Sequence, residues 1–200
     1  MANELHDSAP RTFVYGIGFP PVSDERARVL ILGSLPGQRS LQLRQYYGQP
    51  RNAFWAIMGR LFNAGPELPY AERTQRLVDS KVALWDVCAA AHRPGSLDSS
   101  ISRASVVTNA FADFLGEHRR IGLICFNGST AAALYSRIVL PDLPEAFRAI
   151  PMAALPSTSP AHASMSFDEK LSRWSLVRDH ARSRRVRAAS REPVAVKRVS

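Results

Sequence analysis

Four short apolar segments constrain this chain more than any other feature. They span residues 28–33, 82–86, 121–127 and 149–155, and each is a continuous run rather than an alternation. A strand covered on one face alternates apolar and polar residues, whereas a strand covered on both faces reads as an unbroken run. Helix-like stretches lie between them. Phe54, Ile57, Met58 and Leu61 recur at helical spacing within residues 53–62. Further helices are expected over 70–80, 102–117, 129–137 and 167–182, the last with Leu171, Trp174, Leu176 and Val177 on its apolar side. Strands alternating with helices predict an α/β chain, a three-layer α/β/α arrangement around a central four-stranded parallel sheet.

A chain of 200 residues makes one domain, or one domain plus a tail. The expected division is a single domain over 1–180 and a basic, disordered tail over 181–200. Seven basic residues and one acid follow residue 180, so +6 of the net charge of +9 lies there. Such a tail suits a polyanion partner, because phosphates release counterions when neutralised. A tail that only aids solubility fits the charge equally well. The hydrophobic share of 46% excludes a wholly disordered chain. No apolar run approaches the roughly eighteen residues of a membrane helix. The first ten residues carry neither a basic nor an apolar signal region. Cys88 and Cys125 are too few for a disulfide framework or a four-thiolate centre, and both sit in apolar runs, as buried free thiols do. A monomeric protein of a reducing cytoplasm, without metal or organic cofactor, is expected.

In parallel sheets, ligands bind beyond the C-terminal strand ends. Four loops therefore matter, and they hold the least ordinary residues. Gly33-Ser34-Leu35-Pro36-Gly37 ends the first run. Its glycines allow close backbone approach, and its N–H groups suit an oxyanion or a base carbonyl. A plain turn is the simpler reading of that segment alone. Tyr46-Tyr47-Gly48-Gln49-Pro50-Arg51-Asn52 follows. Exposed loop aromatics stack on bases, and Arg51 suits a phosphate. Asn52 precedes a helix, where it reads either as a cap or as an amide holding water or a base edge. Asp86 ends the second run, as a base partner or as a cap for the next loop. The polar turn 96–100 is expected to cap the helix near residue 102. Ser157, Ser159 and His162 sit in a loop whose hydroxyls and N–H groups suit a nucleic-acid backbone.

Taken in order, these motifs become specific. Gly33-Ser34-Leu35-Pro36-Gly37 is followed by the run from Tyr47 through Pro50-Arg51-Asn52-Ala53-Phe54-Trp55. Leu84-Trp85-Asp86, Cys125-Phe126-Asn127-Gly128 and Leu155-Pro156-Ser157-Thr158-Ser159-Pro160 come next. This series resembles the uracil-DNA glycosylase superfamily, and within it the hypoxanthine-DNA (deoxyinosine) glycosylase branch, family 6. The resemblance runs over about 29–178. It implies a four-stranded parallel sheet between helices. It also implies removal of a deaminated base by hydrolysis of the N-glycosidic bond, with the nucleotide flipped into a pocket. DNA carrying hypoxanthine is then the favoured partner, with uracil or xanthine as further substrates.

The mismatch-specific uracil and thymine branches place a water-positioning Asn in the first motif, where this chain has Leu35. The family 6 pattern implies that Asn52 takes that catalytic role. By the same resemblance, Ser34, Leu35, Tyr47 and Asp86 bind the base, Tyr47 by stacking and Leu35 through its backbone N–H. Arg51, Ser157, Ser159 and His162 meet DNA, and the loop over 157–164 pinches the backbone and wedges into the gap. Many branches begin that loop with His, where this chain has Leu155. No lysine lies in a motif loop, which argues against a Schiff-base lyase. The loss of two chemical groups, at Leu35 and Leu155, keeps open a second reading: a weakly active or inactive DNA-binding module of the same fold.

Overall fold

The central strand β2 (Val29–Gly33) is buried at every position, so its partners must be apolar on both sides. It pairs in parallel with β3 (Val82–Asp86) and with β6 (Leu123–Asn127), and β6 pairs in parallel with β7 (Met152–Leu155). The order is β3-β2-β6-β7. These are the four expected strands; β3 has the expected bounds, and the other three start one to three residues later. The computed structural model describes residues 15–183.

Register decides which side chains share a face. Trp85, Leu32 and Phe126 are register partners and point the same way. Helix α4 (Phe111–Glu117) covers that face with Phe111 and Phe114 against Trp85. Tyr135 packs there too, against Phe126 and Phe111. It opens a π-helical turn, Tyr135–Val139, that extends α5 (Ser129–Leu134). Helices α2 (Phe54–Phe62) and α7 (Phe167–Arg182) pack on each other, and α7 also meets β2 and β7. Phe54 and Trp174 form an edge-to-face pair at their junction. The result is the expected three-layer α/β/α fold.

Helix α7 starts with a capping box, in which Ser166 and Glu169 satisfy each other's backbone N–H groups. Trp174, Val177 and Ala181 are buried, while Leu176, expected on the apolar side, is exposed. The helix therefore carries ordered structure past residue 180. The expected basic tail beyond residue 183 lies outside the described residues.

One expected helix, over 102–117, forms only in its second half. Residues 102–110 form no helix; the segment holds a 3₁₀ turn at Arg103–Ser105 and a short strand, β5 (Val107–Thr108), before α4 begins at Phe111. The polar turn ahead of it is a separate 3₁₀ turn, Asp98–Ser100, and caps no α-helix. Local hydrogen bonding explains the difference. Ser105 Oγ donates to Ser102 O at 2.7 Å and accepts from His92 N at 2.8 Å, which holds the chain out of helical geometry. Val107 and Thr108 pair instead with β4 (Cys88–His92), which also pairs with β1 (Tyr15–Ile17) in a small antiparallel sheet. Two short helices also lie outside the expected set, α1 (Gln38–Leu43) and α6 (Glu145–Arg148). α3 (Tyr70–Asp79) lies where expected. Cys88 and Cys125 are free and buried, as their settings predict.

Candidate active site

The sheet's aligned strand ends create a cleft of about 560 Å³. Gly33 and Asp86 are register partners at its floor, and Asn127 ends the next strand. The segment after Gly33 shows how sequence makes a binding surface. Gly33 O accepts from Val87 N at 2.9 Å, and Ser34 O accepts from Cys88 N at 3.0 Å. Arg93 Nη1 donates to Leu35 O at 3.0 Å, and its Nη2 donates to Pro36 O. Every carbonyl from Gly33 to Pro36 is thus tied into the protein. Across a trans peptide the N–H points opposite to the C=O. The N–H groups of Ser34, Leu35 and Gly37 are therefore left free of partners and available to a ligand at the cleft these residues line.

Arg93 was not singled out by any sequence motif. It is only 3% exposed and pairs with Asp98 at 3.4 Å. A planar guanidinium meets two adjacent carbonyls from two separate nitrogens held in a fixed fork, whereas an ammonium must donate to both from one atom on a flexible stem. Arg93→Lys is expected to lower stability by about 1–3 kcal/mol, the cost of a buried carbonyl losing its donor. A urea midpoint shift at constant slope would report it. An unmoved midpoint would show that the loop keeps its shape without the guanidinium.

Asp86 is buried, and its Oδ2 has no hydrogen-bond partner. Burial pushes its carboxyl up to about 8; nearby Asp98 adds to the rise and Arg93 opposes it. The group is therefore largely protonated at neutral pH. It packs over Gly33, where any Cβ would collide with Asp86 Oδ1 and approach the Tyr47 hydroxyl to 3.2 Å. Gly33→Ala is thus excluded by the carboxyl, not by backbone conformation.

Tyr47 was expected with Tyr46 as an exposed aromatic pair. Tyr46 is instead buried, its hydroxyl bonded to Phe19 O and Pro20 O. Tyr47 lines the cleft. Its ring stacks on Phe54 at 3.9 Å and 21°, so one face is taken and only the other can meet a base. Its φ of 53° is the left-handed region, an uncommon and strained setting for a bulky residue. Burial raises its phenol far above the ordinary value, so it stays protonated.

Asn52 stands one residue before Ala53, the N-cap position of α2. Its Oδ1 accepts from Phe54 N at 3.0 Å, and the residue lines the cleft. A backbone N–H can only donate, so the atom facing it is the oxygen. That oxygen keeps a second lone pair.

The loop after β7 is held from several sides. Asn127 Nδ2 donates to Thr158 Oγ1 at 2.8 Å, and Thr158 N donates to Asn127 Oδ1 at 2.9 Å. Ala53 N donates to Thr158 O, Trp174 Nε1 to Pro156 O, and Lys170 Nζ to His162 O at 2.7 Å. Asn127 and Thr158 lie in motifs that gave them no role of their own, and they are central to this bracing. Ser157, Ser159 and His162 line the cleft with Ser34, Leu35, Tyr47, Asn52 and Asp86. Leu35 does so with a buried side chain, which leaves its N–H as the polar contribution. Arg51 is exposed and does not line the cleft. Among the described residues no cluster of three or more His, Cys, Asp or Glu side chains is placed to hold a metal ion. No helix among them is long and apolar enough to cross a membrane.

The chain itself is similar to known proteins. Residues 20–178 match the family model described as the uracil DNA glycosylase superfamily. A hypoxanthine DNA glycosylase of Methanosarcina acetivorans is 39% identical over 115 residues, covering 57% of this chain and 72% of the relative. That of Methanosarcina barkeri is 39% identical over 112 residues, covering 56% and 70%. A solution NMR structure of a Methanosarcina acetivorans protein described as a uracil DNA glycosylase superposes with a TM-score of 0.70 at 33% identity, covering 84% of this chain and 99% of that one. The family model over most of the chain, the two relatives and the superposed structure agree: the protein belongs to the uracil DNA glycosylase superfamily, whose members are DNA N-glycosylases.

Proposed function

We propose that this chain removes hypoxanthine from DNA by hydrolysing the N-glycosidic bond, in base excision repair, as a monomer and without a metal or cofactor. The observation that carries this reading is the set of free N–H groups at Ser34, Leu35 and Gly37, facing the same cleft as Asn52 and a protonated Asp86. Bond cleavage builds negative charge on the leaving base and positive charge on the sugar. Fixed N–H donors stabilise the first without reorganising, and the DNA phosphates favour the second. Asn52 Oδ1 accepts a hydrogen bond from the attacking water through its remaining lone pair and aims the water at the sugar carbon. Tyr47 holds the base plane. The neutral Asp86 carboxyl offers a donor and an acceptor side by side, which fits the lactam edge that deamination creates. Hypoxanthine, uracil and xanthine share that edge. The likeness to two hypoxanthine DNA glycosylases favours the first.

The test is single-turnover excision from duplexes carrying one hypoxanthine, uracil or xanthine, with alkali to reveal abasic sites. Fastest excision of hypoxanthine is the expected result. Intact DNA binding with no product from any of the three would favour the non-catalytic module instead.

Arg51, Ser157, Ser159 and His162 are assigned to the DNA backbone, and the basic residues beyond 183 to nonspecific phosphate contacts. Removing residues 184–200 is expected to flatten the dependence of log Kd on log salt and to leave base preference unchanged. An unaltered slope would remove the tail from DNA binding.

A further inference from the structure

Lysine is almost never fully buried unless it is paired, yet Lys170 is only 6% exposed. Among the described residues no carboxylate lies within ion-pair distance of its ammonium. Arg93, also buried, has Asp98 beside it. The sequence neighbours of Lys170, Asp168 and Glu169, are exposed, and Glu169 is taken up by Ser166 in the capping box. Burial lowers the proton affinity of the Lys170 amine, and no neighbouring acid opposes it. Its place adds a further cost. It is the fourth residue of α7, in the first turn, where the helix dipole disfavours a cation. A chain that keeps such a charge leaves room for an anion to complete it.

What holds the ammonium is a carbonyl. Lys170 Nζ donates to His162 O at 2.7 Å, in the loop after β7. Across a trans peptide the N–H points opposite to the C=O. The Ala163 N–H therefore faces away from the ammonium. Ala163 is exposed, and its N–H has no partner among the described residues. The peptide joining 162 and 163 thus stands between a buried cation and open solvent, beside the cleft that His162 lines. A cation on its carbonyl polarises the peptide and strengthens the N–H as a donor. An anion on that N–H is the missing countercharge. In DNA the anion is a phosphate, which backbone N–H groups commonly hold.

We propose that Lys170 is a buried phosphate-pairing charge: a backbone phosphate beside the target nucleotide sits on the Ala163 N–H, and Lys170 neutralises it through the intervening peptide. Lys170 is then a positioning residue, and it touches neither the base nor the sugar. The assignment rests on the reading of this chain as a DNA glycosylase. A lysine that only braced the loop would serve by its hydrogen bond, so charge and hydrogen bond have to be separated.

Three variants do this. Lys170→Arg keeps both, Lys170→Gln keeps a donor without charge, and Lys170→Met keeps only the apolar stem. Kd is measured by fluorescence anisotropy on a duplex carrying a tetrahydrofuran abasic-site analogue, a probe that needs no chemistry. Each phosphate flanking the analogue is replaced in turn by a neutral methylphosphonate. At one position the replacement is expected to weaken native binding about tenfold, the scale of a hydrogen bond to a charged group. Lys170→Gln and Lys170→Met should bind the unmodified duplex about tenfold more weakly and lose nothing further at that position. Their slope of log Kd against log salt should fall by about 0.9, the share of one phosphate. Lys170→Arg should restore both readings. A methylphosphonate penalty that is the same in Lys170→Met as in the native chain at every position would overturn the proposal and leave Lys170 a brace. So would a Lys170→Gln chain indistinguishable from the native one, or a native chain with no penalty at any position. If Lys170→Met does not fold, the glutamine and arginine variants decide alone. Hypoxanthine excision by the native chain is followed alongside. Its absence would remove the glycosylase reading, while the binding arm still decides the role of Lys170; absence of DNA binding would overturn both.

Discussion

Asn52→Ala is expected to lower single-turnover excision by about 10²–10⁴-fold, the range typical of a group that manages the reacting proton or water. Fold loss has to be separated from lost chemistry, because the same side chain makes a capping-type bond, accepting from Phe54 N at the start of α2 from the position before the N-cap Ala53. Removing such a cap costs about 0.5–2 kcal/mol. Asn52→Ser resolves the two roles. Serine accepts from a backbone N–H nearly as well as asparagine, but its oxygen sits one bond nearer the backbone and reaches less far into the cleft. Asn52→Ser should therefore recover thermal stability and not activity. Asn52→Asp keeps the carbonyl-like oxygen and its second acceptor site, so it should retain more activity than the serine variant. Full activity in a normally folded Asn52→Ala protein would remove Asn52 from the reaction.

The two readings of Asn52 illustrate what could be seen in the sequence. Cap and cleft residue looked like alternatives, and the oxygen's two lone pairs allow both. The parallel sheet was readable because strands covered on both faces become continuous apolar runs, and β2 is buried at all positions. The small sheet was not readable. Cys88-Ala89-Ala90-Ala91-His92 carries little β-branched bulk, and a two-residue strand such as β5 has no pattern to detect. Nor does anything local mark Arg93. An arginine before Pro94-Gly95 reads as a solvated loop residue, and only the folded chain brings Leu35 O and Pro36 O to its guanidinium. Asn127 and Thr158 are separated by 31 positions and meet because β6 and β7 are neighbours. Contacts of that kind belong to topology. Residues lining the cleft, such as Ser34, Leu35 and Ser157, were legible because their loops break buried strands with glycine and proline. The residues that brace those loops were not, since bracing leaves no signature in composition or spacing.

Asp86 gives the second large prediction, and its sign is opposite to that of an ordinary paired carboxylate. Its folded value is about 8, against about 3.9 for an exposed aspartate. Between those two pH values the unfolded chain has lost the proton and the folded chain still holds it. The unfolded state thus binds fewer protons, and stability falls as pH rises. The slope from this one group approaches about 1.4 kcal/mol per pH unit, and the contribution is fully present only at or below pH 4. Asp86→Asn keeps the shape and cannot ionise. Its melting temperature relative to the native chain is therefore expected to rise steadily from pH 4 to pH 8, reaching a gain of several degrees at the upper end. Activity should diverge in the same window. The native rate should fall above about pH 8, when the carboxyl loses the proton it offers the base and a charge appears beside the departing anion. Asp86→Asn should lack that alkaline limb, at a lower plateau, because an amide presents its donor and acceptor in one fixed order. Paired melting curves that stay parallel across pH 4–8 would mean that Asp86 ionises normally, and the neutral carboxyl would then have no part in reading the base.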